Sequence, residues 1–131
     1  MKNSFYITTP IYYVNDKPHI GHAYTTILAD VLSRFSRGMG KKTFFLTGLD
    51  EHGQKVQQAA EKLGMPPKKH CDVMAHRFID LWKKLHISND DFIRTTEDRH
   101  KKVVKEFLQI VMAKGDIYES EYELQYFISS G

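Results

Sequence analysis

The sequence predicts an α/β fold, a parallel β-sheet flanked by helices. Two observations carry this reading. Two short apolar runs, Phe5-Tyr6-Ile7 and "TFFL" (Thr43 to Leu46), are separated by a stretch whose apolar residues fall at helical spacing. The second run is also apolar at consecutive positions, as in strands buried on both faces of a parallel sheet. Strand, helix, strand within the first 46 residues is a βαβ unit, and its crossover is expected to be right-handed.

The elements follow in order. Thr8-Thr9-Pro10 is expected to end the first strand, and "IYYVNDKP" to form a loop of aromatic and turn residues. From about His19 a helix begins, with Ile27, Leu28, Val31, Leu32 and Phe35 as its buried stripe. Arg34 and Arg37 sit in its last turns, where the helix dipole favours cations, and Gly38 and Gly40 stop it. Beyond "TGLDEHG" a short helix carries Val56, Ala59, Ala60 and Leu63 as far as Gly64. Pro66-Pro67 opens the next helix in positions that proline tolerates. Met74, Phe78, Leu81, Trp82 and Leu85 form its apolar face, and Met74 and Trp82 read as core. "SNDD" (Ser88 to Asp91) reads as a loop and "FIRTT" as a third short strand. Thr96 is placed to cap the last helix, with Glu97 and Asp98 at its positive end. Val104, Phe107, Leu108 and Val111 are that helix's expected buried stripe. "GDIYESEYELQYFISSG" then turns to β-like alternation and stops without a closed helix or polar tail, so the chain reads as the N-terminal part of something longer.

Composition narrows the partners. At 131 residues the chain is at most one domain with a modest core. A net charge of +3 with seven histidines is compatible with nucleotide or RNA and demands neither. Cys71 is the single cysteine, which excludes an internal disulfide and a multi-cysteine zinc site; with no base partner in view it reads as inert. There is no charged-then-apolar leader and no apolar run of membrane-spanning length. The expectation is a soluble cytoplasmic protein with no membrane partner.

The chemistry centres on "KPHIGHAY" (Lys17 to Tyr24), where His19 and His22 flank Gly21 just after Pro18. Spacing alone leaves metal ligation, proton transfer and anion binding open. A helix beginning near Gly21 presents unpaired N–H groups and a partial positive charge. Gly21 lets a ligand lie on the backbone, because no Cβ is in the way. His19 and His22, one turn apart, project to the same side. At the carboxyl end of the first strand, where open α/β sheets bind ligands, this set looks like a phosphate cradle. Metal binding is the weaker reading, because no cysteine lies nearby in sequence to complete a coordination shell.

Longer blocks sharpen the reading. "TTPIYYVNDKPHIGHAYTTILAD" resembles the signature region of class I aminoacyl-tRNA synthetases, and within them the methionyl-tRNA synthetase family. "FFLTGLDEHGQKVQQAAEKLG" and "DLWKKLHISNDDFIRTTEDRH" resemble further blocks of the same family, so the likeness runs from Phe5 to about Glu123. The resemblance implies a partial Rossmann-like (HUP-type) parallel sheet. Residues 1–115 would form the N-terminal half of the nucleotide-binding catalytic domain, and 116–131 the start of the connective-peptide insertion.

It also implies a two-step reaction. Methionine and ATP give methionyl-adenylate and pyrophosphate, and the methionyl group then passes to tRNA(Met); Mg2+ accompanies ATP as substrate. His19 and His22 match the catalytic histidines that contact the ATP phosphates and act by hydrogen bonding. Gly21 matches the glycine against which the adenine end packs. Ile11 and Tyr13 match positions lining the methionine side-chain pocket, Asp50 matches the carboxylate that holds the ammonium group, and His52 is expected to reach the same pocket. Tyr12 stays with ordinary loop packing.

Two departures from the family pattern matter. Where many relatives start a zinc knuckle, this chain has Phe127 and Ser130 in place of cysteines and Leu124 in place of a glycine, so no structural zinc is expected. The K-M-S-K-S loop is not in the sequence, so this 131-residue piece alone is expected to have little adenylation activity. The alternative reading is a truncated or split paralogue that binds ATP or methionine without turnover.

Overall fold

The computed structural model describes residues 3–121 and 123. In chain order the elements are β1 (Ser4–Tyr13), α1 (Ile20–Gly38), β2 (Lys42–Asp50), α2 (Gln54–Lys62), α3 (Pro67–Lys84), β3 (Asp91–Arg94) and α4 (Asp98–Ala113). The strands form one parallel sheet in the order β1-β2-β3.

β1 runs past the expected stop at Thr8-Thr9-Pro10. Thr8 pairs with Leu46 and Ile11 with Gly48, so β1 spends one residue more than β2 across this interval. Proline has no N–H to give a ladder, and Pro10 falls inside the break, where none is required. The Thr9 hydroxyl donates to the Pro10 carbonyl at 2.9 Å and shares a 2.7 Å hydrogen bond with the Thr47 hydroxyl, which keeps the two strands tied through the irregularity. β2 is also longer than "TFFL". Its first half is only partly covered, with Phe44 exposed and Phe45 buried, and burial on both faces begins at Thr47. Gly48 has a steric reason: a Cβ there would collide with the carbonyl oxygen and side chain of Ile93 on β3.

The main core lies between the carboxyl half of the sheet and α2 and α3. Leu49 and Phe78 are fully buried, with Val56, Met74 and Trp82 packed around them and Leu81 partly buried beside them. The expected apolar face of α3 is therefore the packed one, apart from Leu85 at its end. α2 buries Val56 and Ala60 and leaves Leu63 exposed.

α1 reverses the expectation. Ile27, Leu28, Val31, Leu32 and Phe35 are all exposed, and the buried residues are Thr26, Ala29, Asp30, Ser33 and Ser36. Small residues let the helix lie close on the sheet, and the polar side chains of Thr26 and Asp30 find partners, while the buried Ser33 hydroxyl has none among the described residues. The Thr26 hydroxyl shares a 2.9 Å hydrogen bond with Tyr12. Asp30 accepts from the Ser88 N–H at 2.7 Å, from the Ser88 hydroxyl at 2.6 Å and from Arg34 at 2.6 Å. α4 departs in the same way, with Val104, Phe107 and Leu108 exposed and no buried residue in the helix. Its N-cap is Glu97, without a side-chain cap bond, because the Thr96 hydroxyl donates to the Glu51 carboxylate instead.

Residues 116–121 carry no strand, and the positions Leu124, Phe127 and Ser130 lie outside the described residues. Among the described residues no helix is long and apolar enough to cross a membrane.

Candidate active site

The parallel register brings the carboxyl ends of β1 and β2 together, with Tyr13 opposite Asp50 and Ile11 opposite Gly48. The chain leaves β1 through a short loop and enters α1 at His19, which is the N-cap in an extended conformation (φ −127°, ψ 176°).

Two imidazoles build the cap. The His19 Nδ1 accepts from the Gly21 N–H at 3.1 Å, and the His22 Nδ1 accepts from the His19 N–H at 3.1 Å. This is a capping box made by two histidines, where serine or threonine with glutamate is the common pair. The rings stack with centroids 3.7 Å apart and 28° between planes. Because each Nδ1 is an acceptor, each neutral ring carries its proton on Nε2 and can donate it outward. Thus the N–H groups of His19 and Gly21 are already engaged, and the two Nε2–H groups are added to the donors the helix start can offer an anion. Gly21 has a local role in this. A Cβ there would lie 3.0 Å from Cε1 and 3.1 Å from Nδ1 of His19, so the glycine makes room for the ring.

His22 is braced from below. Its ring meets Tyr12 edge-on at 4.7 Å and Phe78 at 5.3 Å, both at 61°. Tyr12 in turn stacks on Phe78, with centroids 6.0 Å apart and 11° between planes. The orientation of His22 is therefore set by the main core. Burial lowers its pKa, and the neighbouring His19 lowers it further, so the ring is held in the neutral, donating form.

His19 and His22 share a cleft of about 460 Å³ with Ile11, Tyr13, Asn15, Asp16 and Lys17. Of the residues singled out from sequence, the structure gathers Ile11, Tyr13, His19 and His22 around one space. Asp50 and His52 belong to a neighbouring group at the end of β2. One oxygen of Asp50 accepts from the His52 N–H at 3.1 Å and from the Thr95 hydroxyl at 3.4 Å. His52 Nε2 lies 3.3 Å from the Thr95 carbonyl and donates to it. Thr95, just after β3, is thus the anchor for both, and sequence reasoning did not single it out.

A second unanticipated group lies beside them. The buried Glu51 carboxylate accepts from Arg94 at 2.6 Å, and the same guanidinium donates to Asp72 at 2.5 Å. Burial works against the Arg94 charge, but the bonds to Glu51 and Asp72 outweigh it and raise its pKa. The network ties β2, β3 and α3 together directly under Asp50. Burial and the nearby Glu51 raise the pKa of the Cys71 thiol, as expected for an inert side chain. Among the described residues no three His, Cys, Asp or Glu side chains converge to hold a metal ion.

Comparison with known proteins decides the family. The pattern of the tRNA synthetases class I (M) matches residues 5–131. The chain belongs to this synthetase family. A methionine–tRNA ligase of Fusobacterium nucleatum is 59% identical over 98% of this chain, and that of Thermotoga maritima is 57% identical over 91%. A solved structure of Mycobacterium tuberculosis methionyl-tRNA synthetase in complex with methionyl-adenylate superposes with a TM-score of 0.86 at 44% identity, over 90% of this chain. As a class I synthetase segment the chain is short, spanning 20% and 19% of the two ligases and 23% of the solved chain. The Rossmann-like fold implied by the family resemblance is the one the three parallel strands adopt.

Proposed function

We propose that this chain is the N-terminal catalytic segment of a cytosolic methionine–tRNA ligase, in which ATP activates methionine before its transfer to tRNA(Met). Residues 1–115 are read as the first half of the nucleotide-binding domain and 116–131 as the start of the connective-peptide insertion. The observation that carries the proposal is the pair of stacked imidazoles at a helix start, each with Nδ1 accepting from a backbone N–H, which leaves Nε2 as the donor.

In the proposed reaction a methionine carboxylate oxygen attacks the α-phosphorus of ATP. The bond to the bridging oxygen breaks, and pyrophosphate leaves with its electron pair. Negative charge builds on the phosphate oxygens, and fixed neutral donors there lower the barrier without reorganising. His19 and His22 supply those donors, so both remain hydrogen-bonding groups throughout. Gly21 borders the adenine end, and Ile11 and Tyr13 offer the methionine thioether an aliphatic and an aromatic surface. Asp50 takes the ammonium group through a charge-assisted hydrogen bond, with His52 beside it. Mg2+ enters with ATP as part of the substrate. The cleft's one carboxylate, on Asp16, is consistent with a metal carried by the phosphates, not held by the chain. The relative solved with methionyl-adenylate supports this reading.

Amino-acid-dependent ATP–pyrophosphate exchange by the full-length protein tests it. Methionine should support exchange, and the 131-residue chain alone should support little. A preference for isoleucine or cysteine, or near full-length rates from the short chain, would contradict the proposal.

A further inference from the structure

A second cavity, of about 760 Å³, lies between α2, α3 and the loop after β1. Lys17, Lys55, Lys62 and Arg77 line it, against a single carboxylate, Asp16. None of these four cations forms an ion pair among the described residues, although Arg94 and Lys68 nearby on β3 and α3 both do. Unpaired cations from three separate elements, converging on one hollow, repel one another and create a positive potential that an anion relieves. Leu63 and Val73 add apolar wall between the charges.

The cavity borders the catalytic cleft, because Asn15, Asp16 and Lys17 line both. The shared loop is held in place from below. His70 is fully buried and its Nε2–H donates to the Val14 carbonyl at 2.7 Å, which pins the start of that loop to α3. The ATP phosphates are already assigned to His19 and His22, which line the neighbouring cleft and not this cavity. What remains is an anion larger than one phosphate that approaches the same reaction centre.

We propose that this cavity binds the phosphate oxygens of a ribose-phosphate strand, the acceptor end of the RNA whose terminal adenosine enters the cleft. The inference rests on the reading of the chain as part of a tRNA ligase. Lys55 and Lys62 are exposed on α2 and outside the proposed activation chemistry, so they are the residues to change.

The test uses the full-length protein with Lys55→Glu and Lys62→Glu, singly and together. Each single variant should raise the KM for tRNA in aminoacylation by about fivefold or more, and flatten the slope of log affinity against log salt by about one. Methionine-dependent pyrophosphate exchange should stay at the wild-type rate, and Lys55→Arg should restore RNA binding. An unchanged tRNA KM and salt slope in the double variant would overturn the inference. So would a loss of exchange with tRNA affinity intact, which would assign the cavity to pyrophosphate. Failure of the wild type to exchange with methionine would overturn the underlying reading as well, and is seen before any substitution is made.

Discussion

α3 and α1 carry apolar stripes of similar period, and the fold treats them in opposite ways. On α3 the stripe is the packed face, with Phe78 fully buried and Met74 and Trp82 nearly so. On α1 the stripe faces away from the sheet, leaving Phe35 67% exposed, while threonine, alanine, aspartate and serines make the contact. Periodicity therefore marks which side of a helix is apolar, and packing against a given sheet is a separate matter. The buried side of α1 is held by hydrogen bonds, one shared by the Thr26 and Tyr12 hydroxyls and two that the Ser88 N–H and hydroxyl donate to Asp30. α3 is held by area removed from water.

The difference is best broken at Phe78. Phe78→Ala in this chain should cost about 4 kcal/mol, since a fully buried aromatic leaves both a transfer loss and a cavity. Urea unfolding would read it, and a loss under about 1 kcal/mol would mean that α3 is not the core helix. The same substitution should also loosen Tyr12 and His22, which rest on that ring.

Asp30 tests the polar side of the comparison. Burial alone would raise its pKa, but hydrogen bonds from Ser88 and Arg34 outweigh this and hold it below the ordinary value near 3.8. A group with a depressed folded pKa stabilises the fold above its unfolded value, and that stability is lost as pH falls through the folded one. Asp30→Asn should therefore lower stability at pH 7 by about 1–3 kcal/mol, with a smaller difference from wild type in acid near pH 3. Urea midpoints of both proteins at the two pH values would measure this, and an equal gap at both would contradict it. The smallest effect belongs to the exposed stripe. Phe35→Ala should shift the same midpoint by no more than about 0.5 kcal/mol in this chain. A loss approaching that of Phe78→Ala would erase the contrast between the two helices.

Much of the fold was legible. The βαβ unit, α2 between "TGLDEHG" and Gly64, the opening of α3 at Pro66-Pro67 and a third strand in "FIRTT" all follow from local chemistry. The misjudged points share one cause, a distant partner. Pro10 looks like a strand end until the register break with β2 is seen. Thr96 looks like a helix cap until Glu51, 45 residues away, takes its hydroxyl. The exposure of the α1 and α4 stripes depends on what packs on them, which no local pattern contains.

The candidate site divides in the same way. Ile11, Tyr13, His19 and His22 are close in sequence, and the structure places them around one cleft. The roles of Thr95, Arg94 and Phe78 depend on contacts across the sheet and onto α3, and "FIRTT" alone gives no hint that Thr95 anchors both Asp50 and His52. The reciprocal cap between His19 and His22 was also hidden, because the spacing shows that the rings share a face but not which nitrogen each one presents.

That last point is the centre of the account, and histidine 15N NMR of this chain tests it most directly. Both His19 and His22 should show Nδ1 as the acceptor and Nε2 as the protonated nitrogen, and His22 should titrate below the ordinary 6.5. A proton on Nδ1 of either ring, or a His22 titration above 6.5, would contradict the fixed-donor pair.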